Sequence, residues 1–412
     1  MSADEEQHPV TWYRSTLFSA WMVAATAFTC PGIFGALNGM GAGGGASDSV
    51  SDTANALLFG ILAVGSLVVG GICNRIGPKW TLVLGTFGYA PYIAGFYLVD
   101  KYNVSWLVLF GSVTCGISAS FLWVGSGAIY MGYSEENRKG INTAIKFAFQ
   151  NLGASLGGII NLALNLGSNY RGSVSSETYI VLMTIMCLGL PFALSVSRPS
   201  KVQRYDGRKV ELVKAASLAK EYRNLLKLLN TTTVLALLPI TIYAYWFLSY
   251  QWGFNSAYFT VRTRALNSML FYLCGTIASI LWGLFLDWER FSRRTRAIVG
   301  FWILVIVTGA SWIIGQAVQV KYAKAPPTLD WADEGYGLGC FVFVLWGVAD
   351  PLVTTYKYWI ASSLTNDMSE SALLAAVING IGSLGSTFGY YTGQVEQVIS
   401  RSPSAIFPQS RN

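Results

Sequence analysis

Eleven apolar runs, each near or above the roughly 20 residues that a helix needs to cross a bilayer, lie on the two sides of one strongly basic segment, residues 198–227. Hydrocarbon offers no partner to a backbone N–H or C=O, so such runs form helices, which satisfy those groups internally. The basic segment, RPSKVQRYDGRKVELVKAASLAKEYRNLLK, carries nine of the 28 Lys and Arg residues. Clusters of this size stay on the cytoplasmic side of a membrane. The segment therefore reads as a cytoplasmic linker between two apolar halves. Within it Leu218, Tyr222, Leu225 and Leu229 share one helical face, and Lys214, Lys220, Arg223 and Lys227 supply a basic complement able to rest on anionic headgroups. A solvated connector helix is the alternative reading.

Hydrophobic residues make up 53% of the chain and charged ones only 12%, which excludes a soluble globular domain. The net charge of +7 does not point to nucleic acid, because the cations sit in short loops between apolar runs. The six cysteines (Cys30, Cys73, Cys115, Cys187, Cys274 and Cys340) fall within or at the ends of apolar runs without a CxxC pair, and read as packing residues. His8, in the polar N-terminal tail, is the only histidine, so no His-based proton relay or His-ligated metal is expected inside the membrane. MSADEEQHPV is acidic and unlike a cleavable signal peptide. With no nucleotide-binding glycine loop, catalytic triad or metal-like cluster at meaningful spacing, neither an enzyme nor a cofactor is expected.

In chain order the runs lie at about 17–40, 55–73, 80–99, 105–130, 143–166 and 179–196, then at about 232–250, 265–286, 297–316, 338–358 and 372–395. The expected organisation is an N-terminal tail (1–16), a six-helix bundle (17–196), the linker (197–231), a five-helix bundle (232–395) and a polar tail (396–412). That tail cannot make another span, which leaves the outer face of the second bundle uncovered. Pro31, within Cys30-Pro31-Gly32, should bend the first span. With the N-terminus in the cytoplasm, about 20 of the 28 Lys and Arg residues fall inside and about eight outside. Arg262 and Arg264 go against this bias and are expected to be buried against protein.

An internal repeat relates the halves. Gly70-x-x-x-Asn74 closes the second run and precedes Arg75 and Lys79, while Gly283-x-x-x-Asp287 closes the eighth and precedes Arg290, Arg293, Arg294 and Arg296. Glycine lets two helices approach closely, and a short acid or amide at a span's end can cap a neighbouring helix or pair with its basic loop.

At these residues the chain resembles a known family. Gly70, Arg75, Gly77 and Lys79 match the hairpin motif between the second and third helices of the major facilitator superfamily, with Asn74 where that motif usually carries aspartate. CPGIFGALNGMGAGG, GICNRIGPKWTLVLG and SYQWGFNSAYFTVRTRALNSMLFYLCG, running into GLFLDWERFSRRTRA, resemble the ion-channel-regulatory, uncoordinated-ninety-three-like proteins, in particular their fungal branch. The resemblance implies an all-α, polytopic, two-bundle fold of twelve helices around a central cavity lined by helices one, four, seven and ten. Here about eleven are expected, with the twelfth missing. Members of the family are described as channel regulators, receptor-trafficking helpers or solute transporters.

Polar residues inside a membrane are costly and need partners or water. Asp350 is the acid near the middle of a run, and Pro351 after it should break the tenth helix. It reads either as a cation or proton site or as a hydrogen-bonding group that holds the broken helix together. On the fifth run Lys146 is about one turn from the cytoplasmic end and should snorkel, while Gln150, Asn151, Asn161 and Asn165 lie deeper and Gly153, Gly157 and Gly158 read as close packing. Tyr243, Tyr245, Trp246, Tyr250 and Gln251 concentrate aromatic and amide groups on the seventh run. Asn379 lies among Gly380, Gly382, Gly385 and Gly389 on the eleventh. The candidate cavity residues are Asp350, Asn151, Tyr245 and Gln251. Two sequons, at Asn103 and Asn230, sit in a very short loop and in the linker, and neither is expected to carry a glycan.

The function expected is transport of a small solute or ion by alternating access about a midplane site. The alternative is a non-transporting regulator or chaperone of another membrane protein, in the plasma membrane or an endomembrane. In either case the bilayer is the first partner. The topology predicts that, in a background without native cysteines, Ser200→Cys reacts with a membrane-impermeant maleimide only from the cytoplasmic side, and Ser47→Cys, in the glycine-rich loop, only from the opposite side. The reverse pattern would overturn the arrangement.

Overall fold

Several helices start or stop on a local signal. Ser15 accepts the Phe18 amide (3.0 Å) to open the first span, Ser217 accepts that of Lys220 (3.2 Å) and Ser292 that of Thr295 (3.1 Å). Gly77, at φ 89°, makes the turn before Pro78, which occupies the first helical position of the third span. Asn103, at φ 55°, ends that span in the left-handed region.

The structure is a computed structural model and describes residues 10–39, 48–167, 174–210 and 217–401. His8, most of the glycine-rich loop, Lys214 and the polar tail beyond residue 401 lie outside the described residues. Eleven described helices are long and apolar enough to span a membrane: Thr16–Gly39, Val50–Ile76, Pro78–Tyr102, Trp106–Gly132, Lys139–Leu164, Ser176–Ser195, Thr232–Tyr258, Val261–Leu286, Arg293–Lys324, Tyr336–Ser362 and Met368–Thr392. They are called here the first to the eleventh span. The all-α, polytopic, two-bundle fold read from the sequence is what the chain adopts, with a few residues added at most helix ends.

Proline has different effects in two spans. At Pro31 the first span passes through a π turn, Phe28–Gly32, before resuming as α-helix. At Pro351 the tenth helix does not break: it runs without interruption from Tyr336 to Ser362. The missing N–H frees only the carbonyl one turn back, and the surrounding helices hold the backbone straight, with the Gly347 carbonyl against Gly275 of the eighth span.

The bundles meet along two helix pairs, the second span with the eleventh and the fifth with the eighth. Small residues permit the approach. A Cβ added to Gly70 would stand 2.7 Å from the Ala376 methyl, and one added to Gly283 2.3 Å from that of Ala144. Between the bundles the linker forms a helix, Leu218–Leu229. Its buried positions are Glu221 and Leu225, whereas Leu218 is exposed. Tyr222, Leu225 and Leu229 of the expected face pack on the bundle, Leu218 does not, and Glu221 beside them is drawn inward by Asn74. Leu225 packs with Val234, Leu373 and Val377.

The halves differ at their periphery. In the first bundle the sixth span packs on the first and third, each 61% buried, but the corresponding seventh and ninth spans are only 28% and 22% buried. Among the described residues no helix takes the place against them that the sixth span takes in the first half.

Of the cysteines, Cys30, Cys73 and Cys115 are buried as packing residues, but Cys187 is exposed. Arg264 is buried, as expected. Arg262 is instead tied to the loop after the ninth span. It donates to both Asp330 oxygens (2.8 and 2.5 Å) and lies over the Trp331 ring at 4.7 Å. Asp330 also accepts from the Thr260 and Thr263 hydroxyls, and this set of donors, Arg262 foremost, holds its carboxyl well below the usual carboxylate range. A depressed carboxylate contributes stability above its unfolded pKa, near 4, and loses it as pH falls further. Asp330→Asn should therefore lower the detergent-solubilised protein's stability by about 1–2 kcal/mol at pH 7. In thermal unfolding from pH 7 downward the gap between wild type and variant should close below about pH 4.

Candidate functional site

A cavity of about 120 Å³ lies between the bundles. Asn38 of the first span, Trp123 of the fourth, Gln150 and Asn151 of the fifth, Tyr245 and Trp252 of the seventh, Tyr272 of the eighth, and Asp350, Thr354 and Lys357 of the tenth all reach it. Pockets for drug-sized ligands occupy roughly 300–1,000 Å³. This closed form has room for a small solute or a few waters only.

Two charged side chains, Asp350 and Lys357, line the cavity, and a third, Lys146, lies beside it. Asp350 accepts from the Thr354 hydroxyl at 3.3 Å, and no Lys or Arg nitrogen of the described residues forms an ion pair with it. Lys357, two helical turns further on, lies on the same face. Its ammonium is fully buried and stands 4.1 Å from the Tyr245 ring centroid. Lys146, equally buried, donates to Gln150 Oε1 (2.9 Å) and lies 3.7 Å from the Trp123 ring centroid and 3.9 Å from that of Phe147. Lys357 lies close enough to act electrostatically on both Asp350 and Lys146. Two cations and one carboxylate thus lie in or beside a water-poor space, with aromatic faces as the main compensation for the cations.

Lys146 does not snorkel. The fifth span begins at Lys139, so Lys146 sits about 10 Å inside it, and the aromatic faces draw its side chain inward. Of the four residues singled out for the cavity, Asp350, Asn151 and Tyr245 line it and Gln251 does not. Six residues beyond Tyr245, Gln251 is rotated by about 120° around the helix. Trp252, one residue further, returns to the lining. Asn151 points its amide toward the Ser279 hydroxyl (3.5 Å). Tyr245 and Tyr358 both donate to Asn379 Oδ1 (2.8 and 2.6 Å), which ties the seventh, tenth and eleventh spans together beside the charges. Tyr243 instead accepts from the Trp312 indole, Trp246 is exposed, and Tyr250 packs on Trp312 and Trp346. Lys357 was missed, although a lysine seven residues after an intramembrane acid is a readable signal.

The end of the cavity nearer the linker is closed by side chains on helix termini. Asp287 accepts the amides of Gly140 (2.9 Å) and Ile141 (2.7 Å) and so caps the fifth span from the other bundle. Burial pushes its carboxyl above the usual range, against those two amides and Arg296. Lys139, also unanticipated, donates to the Ser362 and Thr365 carbonyls and to Asn366 Oδ1, at the C-terminus of the tenth span. Asn74 donates to Glu221 Oε2 (3.0 Å) and to the Ser369 carbonyl (3.2 Å). The linker helix thus supplies the carboxylate that the repeat has at Asp287 and lacks at Asn74. Of the other motif residues, Gly70 and Gly283 form the close approaches, Gly77 the turn, and Lys79 lies toward the Trp80 ring. Arg75 and Lys79 border a basic basin at this end, Arg293 borders a smaller recess beside Asp287, and Arg294 is exposed.

At the far end Asn255 donates to the Gly39 carbonyl (2.8 Å) and Arg262 to that of Leu166 (3.3 Å). In the cavity wall Phe59 stacks on Tyr390 at 5.8 Å. Contacts between bundles therefore lie on both sides of the charges.

The family model for the ion channel regulatory protein UNC-93 matches residues 49–395. The notoamide biosynthesis cluster protein O' of Aspergillus versicolor is 34% identical over 96% of this chain and 86% of its own length. A UNC93-like protein of Schizosaccharomyces pombe is 34% identical over 92% and 76%. Among solved structures, the fucose:proton symporter of E. coli superposes with a TM-score of 0.63 at 12% identity, covering 94% of each chain. The proton:xylose symporter XylE superposes at 0.62 and 16% identity, covering 95% of this chain and 90% of that one. At such identities the likeness is one of fold.

Capping by Asp287 predicts that Asp287→Ala, which leaves two amides without their acceptor, loosens the linker end. Ala144→Cys, packed against Gly283, should then be alkylated faster in the Asp287→Ala background, and Asp287→Asn, which keeps one acceptor, should lie between. Equal alkylation rates in all three would show that the cap does not hold this closure.

Proposed function

The chain belongs to the UNC-93 family of ion channel regulatory proteins, and on that footing we propose that it moves a small anionic solute across the membrane by alternating access. The observation that carries this reading is the buried pair Lys146 and Lys357 with the half-buried Asp350 at the meeting of the bundles, Lys357 and Asp350 lining the cavity and Lys146 beside it on Gln150. A charge at the centre of a bilayer costs roughly 2.5–3.5 kcal/mol on insertion scales. Two lysines facing one carboxylate leave a positive excess that an anion would offset. Closure on both sides belongs to a rocking cycle in which the linker-end contacts and the far-end contacts open in turn.

In this cycle the solute's negative group lies between the ammonium groups of Lys146 and Lys357. Asp350 is the competing anion on the same helix face as Lys357. A proton taken up by its carboxylate removes the repulsion against the solute, so a proton enters with each anion, and both leave on the other side. Asn151 and the Tyr245–Asn379–Tyr358 hydrogen bonds hold the walls. The family's description favours a second reading, a non-transporting partner of another membrane protein, in which the same buried charges set the conformation that the partner binds.

Uptake of radiolabelled small organic anions into proteoliposomes, measured per molecule of reconstituted protein, distinguishes the two readings. Lys357→Met should reduce uptake by about tenfold or more, in line with losing a buried charge partner of the solute. Asp350→Asn should retain uptake but lose its dependence on pH. Unchanged pH dependence in that variant removes Asp350 from the coupling. If wild-type vesicles take up none of a broad anion panel while the protein recovers a defined membrane partner from solubilised membranes, the second reading holds.

A further inference from the structure

A second, larger space lies outside the cavity, at the linker end beside the hairpin of the second and third spans. It is a basin of about 960 Å³ bordered by Arg14, Arg75, Lys79, Arg198, Lys201, Arg204, Arg208 and Lys209. These cations come from three separate stretches of chain, and the fold holds them together. The linker strand runs beside the start of the first span. Gln203 donates its amide to the Arg14 carbonyl (2.8 Å) and accepts the Thr11 amide (2.7 Å), while Ser197 donates to the Tyr13 carbonyl (3.1 Å). The strand then turns back at Gly207, which has a φ of 70°, where Asp206 accepts the Arg208 amide (3.0 Å). Glu135 anchors the same strand from below by accepting from Thr16 (2.9 Å) and from the Tyr205 amide.

Arg204 is held in a carboxylate pair with Asp206 at 2.8 Å, whereas among the described residues Lys79, Arg198, Lys201 and Arg208 form no salt bridge. Arg198 and Lys201 bear on Lys79 as like charges, an arrangement that costs free energy unless an anion is present. The crowding is not imposed by the fold. The recess at the corresponding hairpin of the second bundle is about 210 Å³ and sets Asp287 and Glu289 against Arg293 and Arg296. The basin's edge also carries Trp80 and Ile76, both about 40% exposed, at the level where a span leaves the hydrocarbon and amphipathic rings prefer to lie.

We propose that this basin is a binding site for an anion bearing more than one phosphate group, held by Arg198, Lys201, Arg208 and Lys79. Guanidinium forks and ammonium groups from opposite walls suit several phosphate oxygens at once. The chemistry is shared by a polyphosphorylated lipid headgroup at the membrane surface and by a soluble polyphosphate. Because the basin joins the strand before the linker helix to the hairpin that the helix's Glu221 contacts through Asn74, a ligand there would brace the closed linker end.

The test uses the full chain in phosphatidylcholine nanodiscs with and without phosphatidylinositol bisphosphate, and soluble inositol trisphosphate as a second probe. The triple variant Arg198→Gln, Lys201→Gln, Arg208→Gln alters only exposed side chains and should bind either probe about tenfold more weakly or less. Arg290→Gln, Arg293→Gln, Arg294→Gln removes the same charge at the other hairpin and should bind as wild type does. Binding of the soluble probe in competition with the lipid identifies the phosphates as sufficient. Binding of the lipid alone assigns the site to a membrane lipid whose chains lie along Trp80 and Ile76. The proposal fails if neither probe binds wild type, or if both triple variants lose binding equally.

Discussion

Hydrocarbon solvates neither charge nor unpaired backbone, and the rest of the molecule follows from how the chain meets that constraint. Every span is a helix because only a helix pairs its own amides and carbonyls at that depth. Charge is then admitted at two kinds of place. At helix ends it is spent on neighbouring termini, as when Asp287 caps the fifth span and Lys139 closes the C-terminus of the tenth. Within the spans it is gathered in and beside one cavity, which Lys357 and Asp350 line, with Lys357 and the neighbouring Lys146 against aromatic faces.

The two halves use one plan with one exchange of parts. Glycine near the end of a span lets it touch its counterpart in the other bundle, at Gly70 against Ala376 and at Gly283 against Ala144. The polar residue four positions later completes the contact. In the second half it is an acid that caps a helix directly. In the first half it is the amide of Asn74, and the carboxylate comes from Glu221 on the linker helix. The linker is thereby a structural member of the closure, not a tether. The arrangement ties the conformation of the basic strand before it to the state of the bundle interface.

Two expectations failed for instructive reasons. Pro351 was expected to break the tenth helix, a rule that holds where freed backbone must find water. In a packed bundle the neighbouring eighth span covers the freed carbonyl and the helix continues. Lys146 was expected to snorkel, which assumes a shorter path to water than to a better partner. Its ammonium meets Trp123, Phe147 and Gln150 instead.

The sequence by itself determined the all-α polytopic fold and the approximate limits of the eleven described spans. Span-length hydrophobicity and loop charge are properties summed along the chain and need no knowledge of neighbours. It also placed Asp350, Asn151 and Tyr245 among the cavity candidates, because intramembrane polarity is legible wherever it occurs. Only the tertiary structure decided which of those side chains share a space. Tyr245 and Gln251 lie six residues apart on one helix, and a difference of about 120° in rotation puts one in the cavity and leaves the other out. The meeting of Lys146 with Trp123, of Lys357 with Tyr245, of Asn74 with Glu221, and of Arg14 with Arg198 and Arg208 depends on how helices and strands remote in sequence are turned toward one another. That orientation is set by packing between helices, and no linear pattern of residues encodes it.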